Sequence, residues 1–305
     1  MVAYLVRRIA AGLLTIFLVV TVAFGLVRLT GDPALLVAGA DATEAQIEQI
    51  RTVMGTNRPL IEQYLSYVGN FVQGDLGTSI FQRRPVIDVL SERLPDTLLL
   101  AALSFFLGAL LAIPLGVLAA LWPNSVTDWL ARVVAVIGQC VPTFWLGILL
   151  IIVFSVHLQV LPSSGVGSWK HLVLPTVSLS ILTTPIVMRI LRSSLLDVLH
   201  SDYIRMATAK GSSRSRVVLK HGLRNAAVPV VTVLGYRLGV VIGGTVVIET
   251  VYSYPGLGSL AVQAVLTRDF PLVQGFLVII ATMVVLLNLI IDFIYLAIDP
   301  RIRVS

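Results

Sequence analysis

The sequence is short of almost everything a soluble catalyst uses. It has one cysteine, Cys140, in 305 residues. That rules out an intrachain disulfide and a cysteine-based metal cluster. Its four histidines, His157, His171, His200 and His221, show no metal-ligand spacing. No Gly-Lys dipeptide occurs, which excludes a phosphate-binding P-loop, and there is no Gly-x-Ser-x-Gly nucleophile elbow. Charge is scarce too, at 12% Asp, Glu, Lys and Arg, about half the share in an average soluble domain. What fills the space is apolar: 57% of the residues are hydrophobic and the mean hydropathy is +0.94. So much apolar surface excludes a disordered chain. The net charge of +6 comes from bases flanking apolar runs. That arrangement indicates membrane topology and a lipid environment, and it argues against nucleic acid as a partner.

The charges divide the chain into spans. Nineteen uncharged residues separate Arg8 from Arg28, 31 separate Asp96 from Asp128, and 37 separate Arg132 from Lys170. A membrane helix needs roughly 20 apolar residues. The pattern predicts six helices, near residues 9–27, 97–121, 133–156, 172–191, 227–248 and 275–297. The expected architecture is an all-α integral membrane protein with three parts: residues 1–29, holding the first span; 30–95, a helical insertion; and 96–305, a five-span core with a cytoplasmic loop at 192–226. With the N-terminus in the cytoplasm, twelve Lys and Arg residues fall on cytoplasmic segments and two on the short outer loops. The positive-inside rule therefore places both termini in the cytoplasm and residues 30–95 outside. The first span is too long for a signal-peptide core and lacks a clear cleavage site, so it is expected to be retained.

The insertion carries its own helix signals. Thr43 and Gln46 form a capping box, and Gly55 suits a left-handed stop. A second helix fits Pro59 to Gln73, with Ile61, Tyr64, Leu65, Val68, Phe71 and Val72 as its apolar stripe. Two roles are open, a cap on the membrane bundle or a docking face for an extracytoplasmic partner.

The loop from Arg192 to Asn225 reads as two short helices separated by a glycine. Ser201 can cap the first, Asp202 sits in its first turn, Lys210 is in its last, and Gly211 accepts a left-handed backbone. Ser212 or Ser213 can cap a second helix ending before Gly222. Ala207 and Ala209 are small enough for close packing in a protein cleft; an amphipathic hairpin on the membrane surface is the alternative.

The run Asp202-Tyr203-Ile204-Arg205-Met206-Ala207-Thr208-Ala209-Lys210-Gly211 resembles the EAA-type loop of ABC importer permeases. The continuation Lys220-His221-Gly222-Leu223-Arg224-Asn225-Ala226 is similar to the peptide-importer branch. Arg205 stands where the general motif has its glutamate, and Arg224 where it often has proline; both departures are usual in that branch. Similarity extends through residues 93–103, 141–154, 161–165, 246–260, 268–275 and 288–303. The whole resembles the first permease subunit of dipeptide and oligopeptide ABC importers. The resemblance implies a type I importer fold and a non-catalytic role. It implies a second homologous permease, two cytoplasmic ATPases that bind ATP and Mg, and an extracytoplasmic peptide-binding protein. No cofactor or metal is expected in this chain. Ser201, Asp202, Tyr203, Arg205, Ala207, Lys210, Gly211, Ser212 and Arg214 become the expected ATPase-coupling loop. An ion-coupled carrier, an intramembrane enzyme, and the same permease role with a metal chelate, glutathione or haem as cargo are the alternatives.

Within the spans, Arg237 lies mid-helix and needs a polar neighbour, because a charge against lipid costs several kcal/mol. Asn288 and Asp292 lie at suitable depths, either as structural partners or lining the pathway. Gly235, Gly239 and Gly243 share one face, for packing within the chain or against the second permease. Pro175 and Pro185 should break or kink the fourth span. Glu249, Tyr252, Tyr254, Pro255, Gly256 and Gly258 form an expected outer gate, because such a segment at membrane depth must sit inside protein or beside water.

Overall fold

A computed structural model describes residues 2–29, 33–38, 42–213 and 216–298. Thirteen helices are named here: α1 Val2–Leu29, α2 Pro33–Ala38, α3 Glu44–Met54, α4 Leu60–Val72, α5 Val86–Leu121, α6 Val126–Cys140, α7 Thr143–Leu150, α8 Lys170–Ser180, α9 Thr184–Leu199, α10 Asp202–Ala209, α11 Leu223–Val251, α12 Leu257–Leu266 and α13 Phe270–Ile298. A π-helical stretch, Ile151–His157, prolongs α7, and another, Val217–Gly222, leads into α11. Four helical segments are long and apolar enough to cross a membrane, and six if each of two bent pairs counts as one span.

The bent pairs correct one expectation. The third span is not a single rod over 133–156: α6 and the α7 segment meet at 105°. Pro142 supplies no N–H, and a residue before proline is pushed to extended backbone; Val141 has ψ 121°. The fourth span bends by 50° between α8 and α9, as its prolines suggest. The break falls between them, since Pro175 lies inside α8 and Pro185 in the first turn of α9.

The chain forms two compact units, Met1–Asp96 with Gly256–Ser305, and Thr97–Pro255. In the first, α1 and α13 run antiparallel. Arg8 meets Asp292 at 3.2 Å, Gly12 lies where a Cβ would come 2.7 Å from Val285, and Gln274 donates to the Ala23 carbonyl at 3.2 Å. The helix α4 leans on the end of α1. Tyr64 and Tyr67 pack on Phe24 at 5.4 and 5.7 Å, and the Tyr64 and Thr21 hydroxyls lie 2.8 Å apart. The capping box at Thr43 and Gln46 and the left-handed Gly55 are both present in α3. The stripe on α4 is split: Tyr64, Val68 and Phe71 are partly covered, while Ile61, Leu65 and Val72 are exposed. Asp269, 1% exposed, accepts from Ser79 Oγ at 2.5 Å and from the Ile80, Phe81 and Leu272 amides. It fixes the turn before α5 to the start of α13.

In the second unit, α9 lies in a groove of small residues. Ala112, Ala119 and Ala120 of α5 and Ala131 and Ala135 of α6 pack with Val187, Met188, Leu191 and Leu195 of α9 and with Ala226 and Val230 of α11. A Cβ on Gly138 would sit 2.7 Å from Pro185, and one on Gly116 2.9 Å from the Met188 carbonyl. Such contacts hold α9 as a rod, because a close-packed interior leaves a side chain no alternative volume.

Candidate functional site

The basic loop begins where α9 ends. His200 and Ser201 turn the chain, and α10 follows. Ser201 occupies the N-cap with extended backbone, but its hydroxyl donates back to the Val198 carbonyl at 2.5 Å and does not cap α10. Asp202 stays in the first turn, 3.7 Å from Arg205, and both are largely exposed. At the other end Gly211 has φ 84°. The Gly211 amide reaches the Thr208 carbonyl at 2.9 Å, and the Ser212 amide spans back to Ala207 at 3.2 Å. The longer bond closes α10 in a Schellman-type cap, which needs a residue that tolerates positive φ. Ile204 is the buried anchor, 4% exposed. Ala207 is half-buried, and Tyr203, Arg205, Met206 and Lys210 face outward. Arg214 lies outside the described residues.

The expected second helix does not stop before Gly222. Val217–Gly222 is π-helical and continues directly into α11. Gly222 has φ −68°, so it needs no left-handed freedom. Its role is close approach, since a Cβ there would lie 3.0 Å from Leu195. Asn225 donates to the Tyr203 hydroxyl at 2.6 Å and ties α10 to the base of α11.

An unexpected ion pair sits behind this loop. Asp128, in the first turn of α6, is completely buried. Its carboxylate accepts from Arg192 Nε at 2.6 Å, from a second Arg192 nitrogen at 2.9 Å, and from the Asn124 amide at 3.0 Å; Arg132 lies 3.5 Å away. The Asp128 amide in turn donates to Ser125 Oγ at 3.3 Å. A Ser-x-x-Asp spacing is a helix-start signature, and it was visible in the sequence at Ser125. The partner, 64 residues on, was not. Arg192 stands nine residues before Ser201, about 13 Å along the helix axis. The pair therefore anchors the rod that carries α10.

Farther along the same unit, Tyr252 is buried, donates to the Gly147 carbonyl at 3.1 Å and lies 2.9 Å from Ser178 Oγ. A Cβ on Gly147 would come 3.3 Å from the Tyr252 ring, so glycine there lets the ring seat without a shift of a few tenths of an ångström. Glu249 is also fully buried and accepts from Thr97 at 2.7 Å. Tyr254 is 3% exposed, and its amide reaches the Glu249 carbonyl at 2.8 Å. Pro255, the last residue of this unit, is half-buried; in the other unit, Gly256 and Gly258 are buried, at the N-cap and in the first turn of α12, an element the sequence did not suggest.

Of the intramembrane polar residues, Asp292 is in an ion pair with Arg8. Asn288 is exposed on α13. Arg237 stacks its guanidinium 5.7 Å from the Tyr236 ring, and its buried Nε takes no hydrogen bond. On the same helix, a Cβ added to Gly239 or Gly243 would meet nothing within 4 Å. Those two glycines are not consumed by packing within the chain.

Comparison with known proteins agrees with this architecture. Residues 112–304 match the family model "Binding-protein-dependent transport system inner membrane component", and residues 1–101 match its N-terminal companion. The glutathione transport system permease protein GsiC of Escherichia coli O6:H1 is 43% identical over 304 residues, covering 99% of each chain. GsiC of strain K12 is 42% identical with the same coverage. Among solved structures, the inward-facing MetNI methionine ABC transporter superposes with a TM-score of 0.56 at 23% identity, over 70% of this chain and 97% of that one. An amino acid ABC transporter with histidines gives 0.52 at 16%, over 70% and 94%. The chain belongs to the binding-protein-dependent transport family. It is a multi-pass inner-membrane permease of the ABC importer class, with the type I fold.

Proposed function

We propose that this permease works in an importer with a second homologous permease, two cytoplasmic ATPases that bind ATP and Mg, and an extracytoplasmic binding protein, and that its cargo is a short peptide, glutathione included. The chain itself catalyses nothing; hydrolysis belongs to the ATPases. Residues 30–95 face outside and both termini face the cytoplasm, following the distribution of Lys and Arg.

The observation that carries the reading is α10. This short helix hangs from a rigid rod, is closed by a left-handed glycine, and turns Arg205, Met206 and Lys210 outward, while Tyr203 is exposed but bonded to Asn225. An eight-residue helix with one buried anchor has little reason to persist except as a docking element. We assign residues 201–214 to a cleft on an ATPase. Movement of the ATPases then reaches the spans through α9 on one side and α11 on the other. The open face around Gly239 and Gly243 suits the second permease, since small residues let membrane helices approach closely. Arg237 and Asn288 are proposed to meet polar groups of that partner or of the pathway between the two. Asp292 serves as the Arg8 counterion. Glu249, Tyr252, Tyr254, Pro255, Gly256 and Gly258 form the outer closure. The cargo class is supported by the glutathione permeases to which the chain is similar.

Two variants test the docking assignment. Gly211→Val forces a β-branched residue to φ 84°. Ala207→Glu drives a carboxylate into a close contact. Both should reach the membrane in normal amounts, yet lose ATPase co-purification or leave hydrolysis uncoupled from reconstituted peptide uptake. Wild-type coupling in both would refute it.

A further inference from the structure

The helical insertion, the end of α1 and the start of α13 line an open cleft of about 220 Å³, with Arg28, Arg58, Glu62, Gln63, Ser66 and Tyr67 among its walls. The space exceeds several waters, each of which occupies about 30 Å³ in the liquid. Its chemistry is two-sided. Arg28 is held over the Phe24 ring at 5.3 Å. Arg58 and Glu62 both line the cleft, four residues apart and of opposite sign, yet they form no ion pair with each other. Gln63 is 9% exposed, and its side-chain nitrogen donates to the Thr56 carbonyl at 3.0 Å and the Arg58 carbonyl at 2.6 Å. Those two bonds fix the amide's orientation, so its oxygen is an acceptor, and that oxygen is buried with no hydrogen-bond partner. A buried acceptor left without a donor is costly, and a native fold keeps one chiefly where something supplies the donor. Burial pushes the Tyr67 phenol up to about 12, so it stays a neutral donor at physiological pH.

We infer that this cleft is a binding site for a small zwitterion, an amino acid or short peptide with free termini: the carboxylate goes to the Arg28 and Arg58 guanidiniums, and the ammonium or amide N–H to the Gln63 oxygen and the Glu62 carboxylate. A purely anionic ligand would leave Glu62 opposed and the Gln63 oxygen unsatisfied. A purely cationic ligand would face two guanidiniums. Only a molecule bearing both charges answers every group on the wall. The site is separate from the cytoplasmic loop. Its placement in the insertion suits a holding or sensing position for incoming cargo, and that role rests on the peptide-cargo reading above.

The test is direct binding of radiolabelled dialanine to the assembled permease–ATPase complex in lipid nanodiscs, with the binding protein omitted. Binding should saturate and be competed by unlabelled dialanine but not by N-acetyl-dialanine amide, which lacks both charges. Arg58→Gln and Glu62→Gln, at exposed positions that contribute no ion pair to the fold, should each weaken it at least tenfold. Arg132→Gln, on α6 in the other unit, should leave it unchanged. The absence of saturable binding, as expected of a cleft holding water alone, overturns the proposal. Equal competition by the capped peptide overturns it too, as does unchanged affinity in both variants. Dialanine uptake by the full system, binding protein included, separates this from the cargo reading. A complex that binds dialanine in the cleft but does not import it keeps the site and loses that reading; import without binding in the cleft does the reverse.

Discussion

Replacing Asp128 by asparagine should loosen the rod beneath the loop proposed to dock on the ATPases, and the size of the effect follows from the contacts. Asp128 is completely buried and the Arg192 side chain is 23% exposed. Removing one partner from a buried, hydrogen-bonded ion pair costs about 3–5 kcal/mol. Asparagine keeps a carbonyl oxygen for one of the three donors, and Arg192 can reach some solvent. Both place the expected loss near the bottom of that range, about 3 kcal/mol. For a unit of this size, each kcal/mol moves a melting midpoint by about 2–4 °C, giving a shift of about 6–12 °C. The assay is thermal unfolding of the purified complex followed by size-exclusion chromatography. Arg132→Gln is the internal control. Arg132 is half-exposed and 3.5 Å away, so its loss should cost under about 1 kcal/mol. Arg192→Gln combined with Asp128→Asn should cost less than the sum of the two single changes, because each single change strands the other partner. In transport, Asp128→Asn should retain ATPase co-purification while the ratio of uptake to ATP hydrolysis falls. A midpoint shift no larger than that of Arg132→Gln would show that the pair bears no strain between α6 and α9.

Tyr252→Phe deletes a buried hydroxyl and its bond to the Gly147 carbonyl, which keeps the Ile151 amide as a donor, so it should lower stability by about 0.5–1.5 kcal/mol without altering ATPase co-purification; an unchanged melting midpoint would refute the argument. Arg237→Leu should impair assembly with the proposed second permease or impair uptake, and co-purification of the pair together with transport at the wild-type rate would show that its half-buried side chain has no essential partner. Orientation is read by labelling intact cells with an impermeant thiol reagent in a Cys140→Ser background, needed because Cys140 is exposed: Ser66→Cys should react directly and Ser213→Cys only after permeabilisation, and the reverse order would overturn the topology.

Local signals in the sequence were read correctly where one residue decides one backbone choice. Gly55 and Gly211 are left-handed as expected, with φ of 65° and 84°, because few other residues accept that region without strain. The capping box at Thr43 formed for the same reason: its donors and acceptors lie within four residues. Gly222 was misread because glycine carries two messages. It can permit positive φ, or it can permit a neighbour to approach, and the second depends on Leu195, 27 residues earlier in the chain. The 105° bend at Pro142 was missed because hydropathy is blind to direction: α6 and α7 are apolar on both sides of it. The short helix α12 was hidden in the glycine-proline segment for a related cause. Only Leu257, Leu260 and Ala264, packed against Val86, Val89 and Leu90 of α5, reveal why it is helical and buried.

The site divides along the same line. The loop 201–211 was legible because its chemistry is contiguous. Groups that join distant segments were not: Asp128 with Arg192 behind the loop, Tyr252 with Ser178 and Gly147 elsewhere in that unit, and Asp269 with Ser79 in the other unit. These three clusters share a further property: every one satisfies its buried polar atoms within its own unit. Arg237 leaves its buried Nε without an acceptor, and a Cβ added to Gly239 or Gly243 on the same helix would meet nothing within 4 Å. A buried guanidinium nitrogen without an acceptor and a glycine face without a neighbour are both costly in a chain meant to stand alone. They fit the proposed second permease, whose helix would cover the glycines and bring its own acceptors to the height of Arg237. The same helix begins at the base of the loop assigned to the ATPases. On these proposed assignments, a displacement of α10 would reach the face around Gly239 and Gly243 through the Asn225–Tyr203 bond and along α11.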